Sequence, residues 1–154
     1  MAVFISMLRG VNVGAHNRIK MDALRNLYAS LGLEDAKTYV QSGNIIFRSK
    51  DKNADKLEKK IQEGITRKFG FTPAVVVRTT GEIKTAVSAN PFSGRTDIEP
   101  GKLLVTFLAG DPPAGAKKSI ADLKGFPEEM HLRRRELYIY FPNGAGRSKL
   151  PWSQ

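Results

Sequence analysis

Two hydrophobic periods alternate along the chain. Residues 3–8 (VFISML) are apolar except for Ser6 and rich in strand formers, which predicts a buried first strand. Residues 9–20 (RGVNVGAHNRIK) are polar and hold two glycines and two asparagines, the composition of a loop. Leu24, Leu27, Tyr28 and Leu31 then fall at i, i+3, i+4 and i+7 and give one apolar helical face, which Gly32 ends. Short strand-like runs at 38–40 and 45–47 flank Gln41-Ser42-Gly43-Asn44, a hairpin signal. Leu57, Ile61, Ile65 and Phe69 repeat every four residues in a second helix closed by Gly70, and residues 72–78 (TPAVVVR) read as a fourth strand.

The second half repeats a related pattern less completely. A short helix over 81–89 is stopped by Asn90-Pro91, because a residue before proline avoids the α region. Residues 102–108 read as a strand and 114–124 as a helix closed by Gly125. Residues 130–133 and 136–141 are expected to form a hairpin.

The first half therefore runs strand, helix, strand, strand, helix, strand, the order of the ferredoxin-like motif. In that arrangement the first and third strands are central antiparallel neighbours. The loop after the first strand then lies beside the turn before the third, so Arg9, Gly10, Asn12, Gly14 and Asn17 are expected at one rim with Gln41, Ser42, Gly43 and Asn44. The expected fold is α+β, with two packed ferredoxin-like subdomains at 1–78 and 79–154, the second incomplete at its C-terminus.

At 154 residues the chain is long enough to bury a core without staples. Cysteine is absent, which excludes disulfide scaffolds, cysteine nucleophiles and thiolate metal sites. No stretch reaches the roughly 20 apolar residues of a membrane-spanning helix, and no basic residue precedes the opening apolar run as in an export signal. A cytoplasmic protein without membrane partners is expected. Lys plus Arg outnumber Asp plus Glu by 25 to 15, a formal charge of +10 that calls for an anionic partner. The excess is uneven: residues 1–78 hold 14 basic and 7 acidic side chains, and residues 79–154 hold 11 and 8.

Candidate chemistry is sparse. The spacing Gly10-x-x-x-Gly14 is neither of the common phosphate-loop patterns, although backbone N–H groups freed by glycine suit an anion. Asn143-Gly144-Ala145-Gly146-Arg147-Ser148-Lys149 resembles a phosphate loop in composition, which adds Arg147, Ser148 and Lys149 to the candidate ligand-binding residues. The first strand looks like that of an RNA-recognition motif, but the third puts Asn44 and Ile46 where stacking rings belong, so Phe4 and Phe47 are expected in the core or at an interface. His16 lies in the polar loop without a nearby carboxylate, and His131 reads as structural or solvated. Asp97 and Glu99 read as solvated loop carboxylates, and Arg133-Arg134-Arg135 as a solvated hairpin tip. No metal-ligand cluster or hydrolase motif is present, so no metal and no cofactor are expected.

Leu8-Arg9-Gly10-Val11-Asn12-Val13-Gly14, followed by Asn17, Met21 and Leu24, resembles the opening of the domain-of-unknown-function 1697 family. Thr38-Tyr39-Val40-Gln41-Ser42-Gly43-Asn44 with Phe47 is similar to its second signature, and Asn90-Pro91-Phe92 and Gly146-Arg147-Ser148-Lys149-Leu150 to weaker ones. The resemblance spans nearly the whole chain and implies two ferredoxin-like α+β subdomains but no established activity. Ala15 departs from a usual second glycine. Members usually continue past Gly-Arg-Ser-Lys into a final helix with an Arg-Asn-Trp motif, whereas this chain stops at Pro151-Trp152-Ser153-Gln154.

The sequence leaves three functions open. The first is a binding module for an anionic ligand, a nucleotide or nucleic acid. The second is a small enzyme acting on a phosphorylated or carboxylated metabolite, with Arg9, Asn12 and Asn44 as clamps. The third is an interaction protein that uses an open sheet face or edge. Oligomeric state and catalytic residues are not legible.

Overall fold

The opening apolar run becomes β1 (Ala2–Arg9). In the computed structural model, which describes residues 1–12, 14–39, 43–123 and 125–145, it is followed by α1 (Met21–Ser30), β2 (Glu34–Tyr39), β3 (Asn44–Ser49), α2 (Ala54–Phe69) and β4 (Ala74–Thr79). Then come α3 (Thr80–Ser88), β5 (Leu103–Phe107), α4 (Ala116–Ala121), β6 (Glu129–Arg133) and β7 (Glu136–Tyr140), with a single 3₁₀ turn at Pro100–Lys102. Among the described residues this is a mixed α+β architecture of two antiparallel sheets and four α-helices. The chain divides into two units, Met1–Lys84 and Thr85–Gln154.

In the first unit the sheet order is β2-β3-β1-β4. Side chains alternate across a sheet, and here the alternation separates two faces. Phe4, Ser6 and Leu8 of β1, Ile45 and Phe47 of β3, and Val75 and Val77 of β4 are buried. The apolar ones form one core with Leu24, Leu27 and Tyr28 of α1 and Leu57, Ile61 and Ile65 of α2. Phe4 and Phe47 are 1% and 0% exposed, with ring centroids 5.8 Å apart, so both belong to this core. The opposite face carries Val3, Ile5, Met7 and Arg9 of β1, Asn44, Ile46 and Arg48 of β3, Lys37 and Tyr39 of β2, and Val76 and Arg78 of β4. It is exposed along β2 and β3, whereas Val76 and Arg78 are 8% and 1% exposed.

The two outer strands are protected differently. On β4 the Val77 N–H donates to Glu58 Oε1 at 2.8 Å and the Pro73 carbonyl accepts from Gln62 Nε2 at 2.8 Å, so α2 satisfies backbone groups along that strand. β2 carries Glu34, Asp35 and Lys37, and its register against β3 shifts between Glu34 and Lys37. Charge and a bulge of this kind discourage further strand pairing.

The helices end where the sequence places their stops. Gly32 and Gly70 have φ of +78° and +80°, and the Gly70 N–H closes on the Thr66 carbonyl. α3 opens on a reciprocal cap: Thr79 N–H donates to Glu82 Oε1 and Glu82 N–H to Thr79 Oγ1, each at 3.0 Å.

The second unit has sheet order β5-β7-β6. Phe92, Tyr138 and Tyr140 form one small core and Ile139 with Phe141 another. The Tyr138 hydroxyl donates to the Ala86 carbonyl at 2.5 Å. α4 covers only Ala116–Ala121, not 114–124. Pro112 and Pro113 precede it, and its N-terminal cap, Gly115, offers no side chain to hold the first turn.

Candidate functional site

The loop that follows β1 is held by its own asparagines. Asn12 and Asn17 adopt φ of +56° and +52°, the left-handed region that asparagine tolerates better than most side chains. The Asn12 N–H donates to the Asn17 carbonyl at 3.0 Å and Asn17 Nδ2 to the Gly10 carbonyl at 3.2 Å. Asn12 Oδ1 accepts from the Ile19 N–H at 2.8 Å. Val11 and Ile19, 7% and 3% exposed, pin the loop into the core. Asn12 and Asn17 therefore build the loop, and one atom is left over: Asn12 Nδ2 is buried without a hydrogen-bond partner among the described residues.

What this scaffold displays is positive. Arg9, Arg18 and Lys20 are all exposed, and residues 9–20 contain no carboxylate. Among the described residues neither Arg9, Arg18 nor Lys20 forms an ion pair. Arg25, Arg48 and Arg95 contrast with them, being paired with Asp22, with Asp35 at 3.6 Å, and with Asp97 and Glu129 at 2.6 and 2.7 Å.

The loop meets the turn before β3 as strand order requires. The Leu8 N–H donates to the Gly43 carbonyl at 3.0 Å, and Met7 stands opposite Asn44. Gly43 has φ +82°, and any Cβ there would lie 2.8 Å from the Leu8 carbonyl oxygen, so glycine is required by both conformation and space. Arg9, Gly10, Asn12, Gly14, Asn17, Gly43 and Asn44 thus share one end of the sheet. Gln41, Ser42, Arg147, Ser148 and Lys149 lie outside the described residues.

A residue that sequence reasoning passed over completes this end. Tyr39, last in β2, pairs with Asn44 across the open face and is 73% exposed. Ile46, one row further along and opposite Lys37, is 49% exposed. The signal was in the sequence: Tyr39 is two residues from Lys37 and shares its face of an edge strand.

The second unit holds a separate polar cluster. Arg95 bridges Asp97 and Glu129, and its guanidinium carbon lies 5.4 Å from the centroid of the Phe92 ring. His131 Nε2 stands 3.9 Å from Glu129, and its ring meets Phe92 edge-on at 5.2 Å. Hydrogen bonds from Arg95 hold the carboxyls of Asp97 and Glu129 below their usual range, against partial desolvation. Asp97 is therefore an ion-paired group, not a free loop carboxylate, and Glu99 pairs with Lys102 at 3.1 Å. Beside this cluster, α4 and β6 border an open groove of about 600 Å³ with Ile120, Met130 and Leu132 on its floor and Lys117, Arg133 and Arg134 along its rim. Arg134 takes φ +54° at the hairpin tip. Among the described residues no group of three or more His, Asp or Glu side chains is placed to hold a metal ion, and no helix is long and apolar enough to cross a membrane.

The fold is similar to the solved structure of the conserved bacterial protein SP0830 from Streptococcus pneumoniae, with a TM-score of 0.76 and 22% identity over 91% of this chain and 76% of that one. No curated protein matches the sequence. Residues 1–138 match the family described as "Protein of unknown function (DUF1697)". With this match over residues 1–138, the chain belongs to the DUF1697 family.

Proposed function

We propose that this is a cytoplasmic binding module for an anionic ligand, a nucleotide or nucleic acid, received where residues 9–20 meet Gly43 and Asn44. Its two units are read as ferredoxin-like. One observation carries the functional reading. A loop fixed by asparagine hydrogen bonds and two buried side chains presents Arg9, Arg18 and Lys20 to solvent with no carboxylate of its own. Unpaired cations on a rigid scaffold attract a polyanion without first breaking internal ion pairs, and the ordering cost on binding is small.

The test is binding of oligonucleotides and nucleotides at about 50 mM salt, where phosphate contacts are strongest. Binding should weaken steeply towards about 200 mM. A variant carrying Arg9→Ala, Arg18→Ala and Lys20→Ala should lose most of the affinity and the salt dependence. Equal binding by this variant and the parent protein would overturn the assignment of the loop.

A further inference from the structure

The geometry points to single-stranded nucleic acid as the anion, with a base stacked on Tyr39; this rests on the anion-binding reading above. The exposed β2 and β3 part of the first sheet's outer face offers more than charge. Tyr39, Asn44 and Met7 stand side by side on β2, β3 and β1, and Arg9 follows Met7 on the same face of β1. From strand spacing, Tyr39 and Arg9 are roughly 12 Å apart across this face. Lys37 and Ile46 form the next row and Arg48 lies beyond them.

The face thus combines an aromatic ring that is 73% exposed with the cations Arg9 and Lys37, while Arg48 further along is paired with Asp35. Its exposed part is the strand surface of β2 and β3, with Lys37, Tyr39, Asn44 and Ile46 open to solvent, and the grooves at α4 and β6 belong to the other unit. A ring exposed on a strand surface favours one ligand class over another. A small metabolite gains affinity from a concave site that buries most of its surface. A single strand instead lays unpaired bases on exposed rings while its phosphates follow a line of cations. A duplex hides its base faces in the stack and gains nothing from Tyr39. The two phenylalanines of the first sheet, Phe4 and Phe47, are enclosed in the core, so stacking is assigned to β2.

The experiment is fluorescence anisotropy of a labelled oligothymidylate of about 12 nucleotides, within the span such grooves cover. A duplex of equal phosphate count and inorganic polyphosphate serve as competitors. The single strand should bind about tenfold more tightly than either. Tyr39→Ala should weaken it about tenfold with the salt dependence unchanged, and Tyr39→Phe should bind like the parent protein. Arg9→Ala should instead lower the slope of log K against log salt by about 0.7. If Tyr39→Ala binds normally while Arg9→Ala weakens binding, or if duplex and polyphosphate compete equally well, stacking is overturned and the anion site remains. If no polyanion binds, both readings fall. Tyr39 is exposed, so its variants should melt with the parent protein, and a melting curve confirms it.

Discussion

Gly43 and Leu8 approach so closely that a single added methyl group would stand 2.8 Å from the Leu8 carbonyl oxygen. The contact joins the first strand to the turn before the third, and it is made by backbone. Gly43→Ala meets a clash that flexible side chains cannot relieve, at φ +82°. It should cost about 2 kcal/mol or more in chemical denaturation. Gly10→Ala has the same positive φ but nothing within 4 Å of the new methyl, and should cost only about 1 kcal/mol. Equal losses at the two positions would show that conformation, not space, governs this rim.

Ser6 and Tyr28 join hydroxyls at 2.8 Å inside the core, each 0% exposed. Burial pushes the Tyr28 phenol up from its ordinary pKa. Ser6→Ala leaves that hydroxyl buried without its partner and should cost about 1–3 kcal/mol. Tyr28→Phe added to Ser6→Ala should restore part of the loss, because removing both polar groups leaves nothing unsatisfied. A double-mutant cycle by urea denaturation measures the coupling.

Arg9 and Asn12 are neighbours in the loop but should respond oppositely. Arg9→Ala removes an exposed side chain and should alter stability by no more than about 0.5 kcal/mol while weakening oligonucleotide binding. Asn12→Ala removes the acceptor for the Ile19 N–H and places alanine at φ +56°, and should cost about 1–3 kcal/mol without any ligand present. Melting curves with and without oligonucleotide separate the two effects. A large intrinsic loss in Arg9→Ala would assign Arg9 to the scaffold.

The Arg95 cluster sets an acid response. Asp97 and Glu129 have carboxyls depressed by hydrogen bonds from Arg95, so the folded chain binds their protons less readily than the unfolded chain. Their stabilising contribution is present above the unfolded values of about 4 and is lost as pH falls through the lower folded ones. Melting temperature measured between about pH 6 and pH 2 should fall less steeply in Arg95→Ala than in the parent protein. An unchanged slope would mean that the bridge contributes nothing in solution, as is common for exposed ion pairs.

Much of the fold is legible in the residues. The four-residue repeat of Leu57, Ile61, Ile65 and Phe69 fixes α2, and Gly70 with φ +80° ends it. The adjacency of the first loop and the Gly43 turn follows from element order alone. β2 was harder to read: Glu34 to Lys37 look like a loop because an edge strand with a bulge needs little apolar character. Reading β2 as starting at residue 38 left the alternation of Lys37 and Tyr39 out of view, and with it the exposed ring. Asn12 and Asn17 were legible as ligand donors or as loop builders, and hydrogen bonds through Asn12 Oδ1 and Asn17 Nδ2 show the second role. The Arg95 bridge joins residues 34 positions apart in chain order, a pairing that no local pattern announces.

β1 lies at the centre of the first sheet, and this position governs the order of events in folding. Phe4 takes its neighbours from Phe47 on one side and Thr79 on the other. The unit's first strand therefore has no partner until most of the unit has been synthesised, and its apolar run must wait in an unfinished chain. Local helices such as α1 and α2 form quickly by comparison, and the return of β4 across a long stretch of sequence is expected to be the slower step. A variant that weakens β4 should thus slow productive folding and lengthen the time for which residues 3–8 are open to aggregation, even where the finished sheet remains stable.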